Sequence, residues 1–85
     1  MDRRLATLVG TALLRRWETG QRQIESEAVY HELVAAGEEI PDGALRQVFA
    51  GLFERGVLGG TLWEEGEAAR VHGGASITWL DPAKL

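Results

Sequence analysis

The spacing of apolar residues changes at Gly56, and this change constrains the fold more than any other feature of the sequence. Before Gly56, apolar residues recur every three or four positions in three separate segments. That spacing places them on one face of an α-helix. After Gly56, apolar and polar residues alternate, as they do along a half-buried β-strand. The chain is therefore predicted to be an α+β protein, with three helices followed by a β-hairpin.

The three helical segments are bounded by residues that commonly begin or end helices. The predicted helices cover residues 2–19, 26–36 and 42–55. Ser26 and Asp42 are the predicted N-caps of the second and third helices, and a glycine follows each C-terminal turn. Ile24 lies just before the second helix, where it either staples against that helix or forms a brief edge strand.

Two strands are predicted after the third helix. They cover residues 57–63 and 69–80, and residues 64–67 form the turn between them. In the second strand the odd positions, from Ala69 through Ile77 to Trp79, share one face. The glycine pairs at 59–60 and 73–74 are interpreted as irregularities of the strands, where a bulge or bend forms easily.

The length and composition predict a single domain over residues 1–85. The chain has 45% hydrophobic and 26% charged residues, a composition typical of globular proteins rather than of disordered tails or membrane proteins. No apolar run approaches the roughly 18 residues that span a bilayer, and the N-terminus lacks a signal-peptide pattern. The chain is therefore predicted to be cytoplasmic, without membrane contact. Because it has no cysteine, its stability must come from packing or from a partner chain.

The charges are unevenly distributed along the chain. Residues 1–22 contain five arginines and two carboxylates, whereas residues 23–85 contain four basic residues and eleven carboxylates. Arg4 and Arg15 fall on the polar face of the first predicted helix. They are either ordinary solvated residues or part of a surface that faces a polyanion.

The order of the predicted elements and several short segments resemble bacterial winged-helix regulators. The segments are the entry to the second helix, the third helix with the pattern ALRQVFAGLFERG, the start of the first strand and the returning strand. They comprise Ile24–Leu33, Ala44–Gly56, Val57–Leu58, and Gly73–Gly74 followed by Ile77–Trp79. The resemblance extends over nearly the whole chain. It implies a helix-turn-helix core with a β-hairpin wing, which is the winged-helix fold.

In that family the third helix lies in the major groove of duplex DNA, and the wing contacts phosphate or the minor groove. The resemblance therefore implies that Arg46 and Gln47 read bases, with Ala50 as an apolar contact. It implies that Arg70 and His72 are the contacts made by the wing. The corresponding function is that of a DNA-binding transcription regulator acting as a dimer.

Acidic residues in the predicted wing turn depart from the family pattern. Glu64, Glu65 and Glu67 would face phosphate oxygens and repel them. This charge favours a second hypothesis. In it, the domain is a non-catalytic module that binds another protein through the wing or the third helix.

Apolar side chains that the helices cannot cover support the same hypothesis. A wing has only one face against the helices, so the alternation leaves either Val57 and Trp63, or Leu58 and Leu62, exposed. Leu14 falls outside the apolar stripe of the first helix. Trp63, Leu62 and Leu14 are therefore the predicted interface residues, and they face either a partner protein or a second copy of the chain.

The sequence contains no recognisable catalytic or metal-binding motif. His31 and His72 are its only histidines, they are predicted on different elements, and no cysteine accompanies them. We interpret His31 as part of a solvated helix face and His72 as a residue on the polar side of a strand. There is no nucleophile elbow and no phosphate-binding loop. The protein is therefore predicted not to be an enzyme and to use no cofactor or metal.

Overall fold

A computed structural model describes residues 2–63 and 65–85 of the chain. These residues form an α+β structure with four α-helices and a three-stranded antiparallel sheet. In chain order, the elements are α1 (Arg3–Glu18), β1 (Ile24–Glu25), α2 (Ser26–Ala35), α3 (Ala44–Glu54), β2 (Leu58–Leu62), α4 (Glu67–His72), β3 (Ala75–Leu80) and a 3-10 helix (Pro82–Lys84). Glu64, which belongs to the predicted wing turn, lies outside the described residues.

The first three helices agree with the predicted segments to within two residues at their ends. Asp2 caps α1, because its carboxylate accepts a hydrogen bond from the Leu5 amide at 3.1 Å. The N-cap of α3 is Gly43 rather than the predicted Asp42. Gly43 has a positive φ of 84°, a backbone conformation that glycine adopts readily.

β3 is the central strand of the sheet, whose order is β1-β3-β2 with antiparallel pairs. Ile24 pairs with Ile77, and both side chains are buried. Of the two alternatives for Ile24, the structure shows the brief edge strand. Ser26, the predicted N-cap of α2, instead accepts a hydrogen bond from the Ala75 amide at 2.8 Å. Its hydroxyl therefore joins the start of α2 to the start of β3.

The prediction of a continuous strand over residues 69–80 is wrong in its first half. Residues 67–72 form α4, and only residues 75–80 form β3. The alternation was misleading because Ala69 and Gly73 are four positions apart. That spacing would place them on one face of a strand, but it is also about one turn of a helix. A β-carbon on Gly73 would lie 2.7 Å from the Phe49 Cδ2 atom. The missing side chain thus allows close packing of the end of α4 on α3.

The irregularity predicted at residues 59–60 is confirmed. Gly59 pairs with Trp79 whereas Gly60 pairs with Ile77, so Thr78 is an extra residue in β3. This bulge reverses one feature of the predicted strand, because Ile77 is buried and Trp79 is exposed. The two side chains therefore do not share a face.

The hydrophobic core lies between the helices and one face of the sheet. Its largest fully buried side chains come from α1, α2, α3, β1 and β3: Val9, Leu13, Ile24, Val29, Leu45, Val48, Phe49, Ile77 and Leu80. Within the described part of the chain, no helix has the length and apolar character needed to cross a membrane.

Candidate interaction surface

α4 packs against α3, the helix to which the family resemblance assigns base reading. The Gly43 amide donates a hydrogen bond to the Arg70 carbonyl at 2.7 Å. Arg46 is half-buried and lines a cavity of about 440 Å³ with Ala69 and Arg70. Its Nη1 atom is buried and has no hydrogen-bond partner among the described residues. Gln47 is exposed, so the two predicted base readers differ in accessibility.

Three of the four arginines of α1 contact carboxylates of α2 and of the segment that follows it. Arg4 donates two hydrogen bonds to Glu38, at 2.6 and 2.9 Å. Arg15 and Arg16 contact one Glu32 oxygen at 2.5 and 2.9 Å. Partial burial acts to raise the pKa of Glu32, but hydrogen bonds from both arginines hold that pKa below its ordinary value. The Arg4 hydrogen bonds likewise lower the pKa of Glu38. Much of the positive charge of α1 is therefore balanced within the molecule.

Arg70 and His72 were predicted on a wing strand, but they lie on α4. Arg70 forms an ion pair with Asp42. The His72 ring lies 4.7 Å from the Tyr30 ring and 5.4 Å from the His31 ring, measured between centroids. Sequence reasoning missed this cluster, because the contact depends on how α4 packs against α2. The described residues contain no group of three or more side chains placed to hold a metal ion.

One face of the sheet packs on the helices, and the opposite face carries two tryptophans. The paired residues Leu58 and Leu80 are both buried, which identifies the inner face. Side chains alternate along a strand and cross-strand partners share a face, so the intervening positions point outward. We call these positions the outer sheet face: Gly59, Thr61, Trp63, Ser76 and Trp79.

The two indoles of the outer sheet face are about half exposed, at 45% for Trp63 and 48% for Trp79. The Trp63 amide donates to the Gly74 carbonyl at 2.7 Å, so pairing with β3 continues one residue past β2. Trp79 lies over Gly59, where a β-carbon would be 3.4 Å from the indole Cε3 atom. Gly59 and Trp63 are four positions apart along the strand, so their Cα atoms are roughly 13 Å apart.

A cavity of about 450 Å³ lies beside Trp63, between α4 and the start of α2. We call it the acidic cavity. Its polar and aromatic lining residues are Glu25, Ser26, Glu27, Trp63, Glu65 and His72. Its described lining contains three glutamates and no lysine or arginine. The Nδ1 atom of His72 is buried without a hydrogen-bond partner among the described residues.

The other two predicted interface residues lie elsewhere. Leu62 pairs with Ala75 and packs against the core, so it belongs to the inner face. Leu14 lines a separate cavity of about 410 Å³ with Leu52 and Leu85. The structure therefore does not bring Leu14, Leu62 and Trp63 together on one surface.

Sequence reasoning also missed Trp79 as an exposed residue and the glutamates as lining of a cavity. The signal for Trp79 was the Gly59–Gly60 pair, because a bulge opposite those glycines turns the following side chain to the other face. Glu25 and Glu27 line the cavity where β1 pairs with β3. A brief edge strand at Ile24 was one prediction from the sequence, but the sequence did not indicate which strand it would pair with.

Comparison with protein-family models, curated proteins and solved structures finds no match to this chain. The outer sheet face, the acidic cavity and the pairing of the arginines are therefore the features from which a function can be proposed.

Proposed function

We propose that the chain is a non-catalytic module of winged-helix type that binds another protein through the outer sheet face and the free edge of β2. The order of its elements supports the fold assignment. Three helices precede the β2 and β3 hairpin, as the resemblance to winged-helix regulators implies. In this chain α4 occupies residues 67–72, where the second wing strand was predicted to begin.

The half exposure of Trp63 and Trp79 carries the functional proposal. Tryptophan in a small domain normally contributes its large apolar surface to the core, and it is enriched among the residues that dominate binding energy at protein interfaces. The residues between the two indoles, Thr61 and Ser76, are small and polar. A partner laid across this face can bury both indoles and form hydrogen bonds between them.

The position of β2 supports an extended partner segment. β2 pairs with β3 on one side, and no strand among the described residues pairs with its other side. The free edge of a strand presents backbone amide and carbonyl groups that an added strand can bond. A segment added along β2 would lie next to the outer sheet face and reach Trp63.

Charge favours a protein partner over a nucleic acid. The formal net charge of the chain is −4. Arg4, Arg15 and Arg70, which were predicted to approach phosphates, already contact carboxylates of this chain. Neutralised arginines release few counterions, and counterion release is the main source of affinity for DNA.

DNA binding by a transcription regulator is the second candidate, and one observation favours it. Arg46 and Arg70, which come from different helices, line the same cavity next to Gly43. Guanidinium groups form strong hydrogen bonds to phosphate oxygens, so two of them at one cavity can contact a phosphate. Glu65 lines that cavity too, which weakens its attraction for an anion.

A selection from a displayed library of extended peptides tests the first candidate. We expect peptides selected on the wild-type chain to lose roughly 30-fold in affinity for Trp63→Ala or Trp79→Ala, because truncating a tryptophan at the centre of an interface commonly costs about 2 kcal/mol or more. Fluorescence anisotropy of the labelled peptides measures the change.

Val34→Ala is the matched control, because Val34 is 44% exposed but lies on α2. It should leave peptide affinity unchanged, and thermal unfolding should show all three variants folded. Selected peptides that bind the two tryptophan variants as tightly as the wild type would contradict the proposal.

A further inference from the structure

The carboxylates of the acidic cavity are not paired with arginine as Glu32 and Glu38 are. Glu25, by contrast, accepts hydrogen bonds from the neutral Gln23 and Ser76 side chains through its Oε1 atom. Its negative charge thus remains available to an incoming cation.

The other two glutamates of the cavity resemble Glu25 in this respect. Glu27 forms no ion pair with a lysine or arginine among the described residues, and the His31 Nε2 atom lies 3.4 Å from the Glu27 Oε1 atom. Glu65 forms no ion pair with a described residue, although it also lines the neighbouring cavity with Arg46 and Arg70. Three carboxylates around one cavity without a lysine or arginine produce a negative potential that attracts cations.

Trp63 adds an aromatic wall to this negative cavity. A guanidinium or ammonium group near an indole face is attracted by the ring, and tryptophan binds cations in this way better than other aromatic residues do. The chain already contains such a contact, because the Arg22 Cζ atom lies 3.9 Å from the centroid of the Trp17 ring. Trp63, which is half exposed, has no cation over it among the described residues.

The cavity also leaves a polar atom of its wall unsatisfied. His72 lines it, and the Nδ1 atom of His72 is buried with no hydrogen-bond partner among the described residues. Buried ring nitrogens normally have a partner. Because this atom is buried, a ligand in the cavity would contact it only if the imidazole ring moved.

The cavity is continuous with the surface assigned to the partner. Trp63 belongs to both the cavity and the outer sheet face, and Gly74, which pairs with Trp63, lines the cavity. Its volume of about 450 Å³ is near the lower end of the range for small-ligand sites. That volume accommodates one long side chain of a segment lying along β2.

We propose that the acidic cavity binds a lysine or arginine side chain of the partner segment, so that the module selects basic extended peptides. This inference rests on the proposed function, since it assigns the partner of the same surface. The cation would lie over the Trp63 indole and between Glu27 and Glu65, with the rest of the segment along the outer sheet face.

Three labelled synthetic peptides test this inference. They share an alternating threonine and valine sequence and differ only in a central lysine, glutamine or glutamate. We expect the lysine peptide to bind about fivefold or more tightly than the glutamine peptide, and the glutamate peptide to bind most weakly. The lysine preference should shrink as salt is added. Fluorescence anisotropy measures affinity, and amide and indole NMR shifts locate each peptide on the chain.

Variants assign the preference to the cavity. The double variant Glu27→Gln with Glu65→Gln should bind the lysine and glutamine peptides equally. The matched double variant Glu39→Gln with Glu54→Gln changes two exposed glutamates that do not line the cavity, and it should retain the full preference.

The outcomes separate this inference from the proposed function. If the lysine and glutamine peptides bind the wild type with equal affinity and change the NMR shifts of Trp79, the cation site is wrong. The proposal of an interaction module would then still hold. If no peptide changes the NMR shifts of any residue of the outer sheet face, both the cation site and the proposed function are wrong. A lysine preference that persists in the Glu27→Gln, Glu65→Gln variant would place the cation elsewhere and overturn the assignment to this cavity.

Discussion

At the scale of single residues, two adjacent glycines determine how α4 joins β3. Gly73 ends α4 with a φ of 89°, and Gly74 follows with a φ of 61°. A β-carbon on Gly74 would lie 2.6 Å from the Ala69 Cα atom. That distance is too short for two carbon atoms that are not bonded. The chain can therefore turn from α4 into β3 at this point only with a residue that lacks a side chain.

Gly74→Ala is expected to destabilise the protein by about 2–4 kcal/mol, because the left-handed backbone and the contact with Ala69 both oppose a β-carbon. Gly56→Ala is the matched control. Gly56 has a similar φ of 71°, but nothing lies within 4 Å of its added β-carbon. The Gly56→Ala variant should lose only about 1–2 kcal/mol of stability. Urea unfolding followed by circular dichroism measures the free energy of unfolding of both variants. Equal losses of stability would show that Ala69 moves away from the added β-carbon without an energetic penalty.

At the scale of elements, ion pairs hold α1 against α2 and the segment after it. Glu32 on α2 receives hydrogen bonds from Arg15 and Arg16 on α1, and Glu38 receives two from Arg4. These contacts lower the pKa of both carboxylates in the folded chain. A carboxylate whose pKa is lower in the folded chain stabilises the fold at pH values above its unfolded pKa. That contribution is lost as the pH falls through the folded pKa.

Glu32→Gln should therefore lower the thermal unfolding temperature most at pH values above 4.5, the ordinary pKa of this carboxyl group. The difference from the wild type should shrink as the pH falls below that value. Thermal unfolding at a series of pH values measures it. Glu39→Gln, at an exposed carboxylate without an ion pair among the described residues, should show no such trend. A constant difference across the series would mean that the Glu32 ion pairs do not stabilise the fold.

At the scale of the whole molecule, the distribution of charge determines which partners can approach. The chain carries an excess of carboxylates. Its α1 arginines are largely paired, and three glutamates line the acidic cavity. The surface around Trp63 is thus negative, whereas Arg46 and Arg70 line a cavity near α3 together with Glu65. The two candidate functions place their partners on these different surfaces.

The response to salt distinguishes the two candidates. We expect no measurable binding of random duplex DNA at low ionic strength, because phosphate contacts require basic residues that are free to release counterions. Fluorescence anisotropy with labelled DNA measures this. Affinity that falls steeply with added salt, and that weakens by about 1–3 kcal/mol for specific DNA in Arg46→Ala, would favour the regulator instead.

Several features of the fold could be predicted from the sequence because they depend on neighbouring residues. Apolar residues at helical spacing predicted the core positions of α1 and α3, and glycines marked the ends of helices. The Gly59–Gly60 pair indicated an irregular strand. One of the two alternatives left by the alternation exposed both Val57 and Trp63, and the structure exposes Trp63 but buries Val57.

Tertiary packing decided the rest. The segment of residues 67–72 is so short that its apolar pattern is compatible with either a helix or a strand. α4 forms where Gly73 and Gly74 permit close contact with Phe49 and Ala69. The hydrogen bond from the Ala75 amide to the Ser26 hydroxyl joins residues 49 positions apart. Local sequence patterns cannot indicate such a distant contact. The sequence by itself thus determined the helices and the change to strand, through periodicity. Only the tertiary structure assembled the acidic cavity, because its walls come from distant elements.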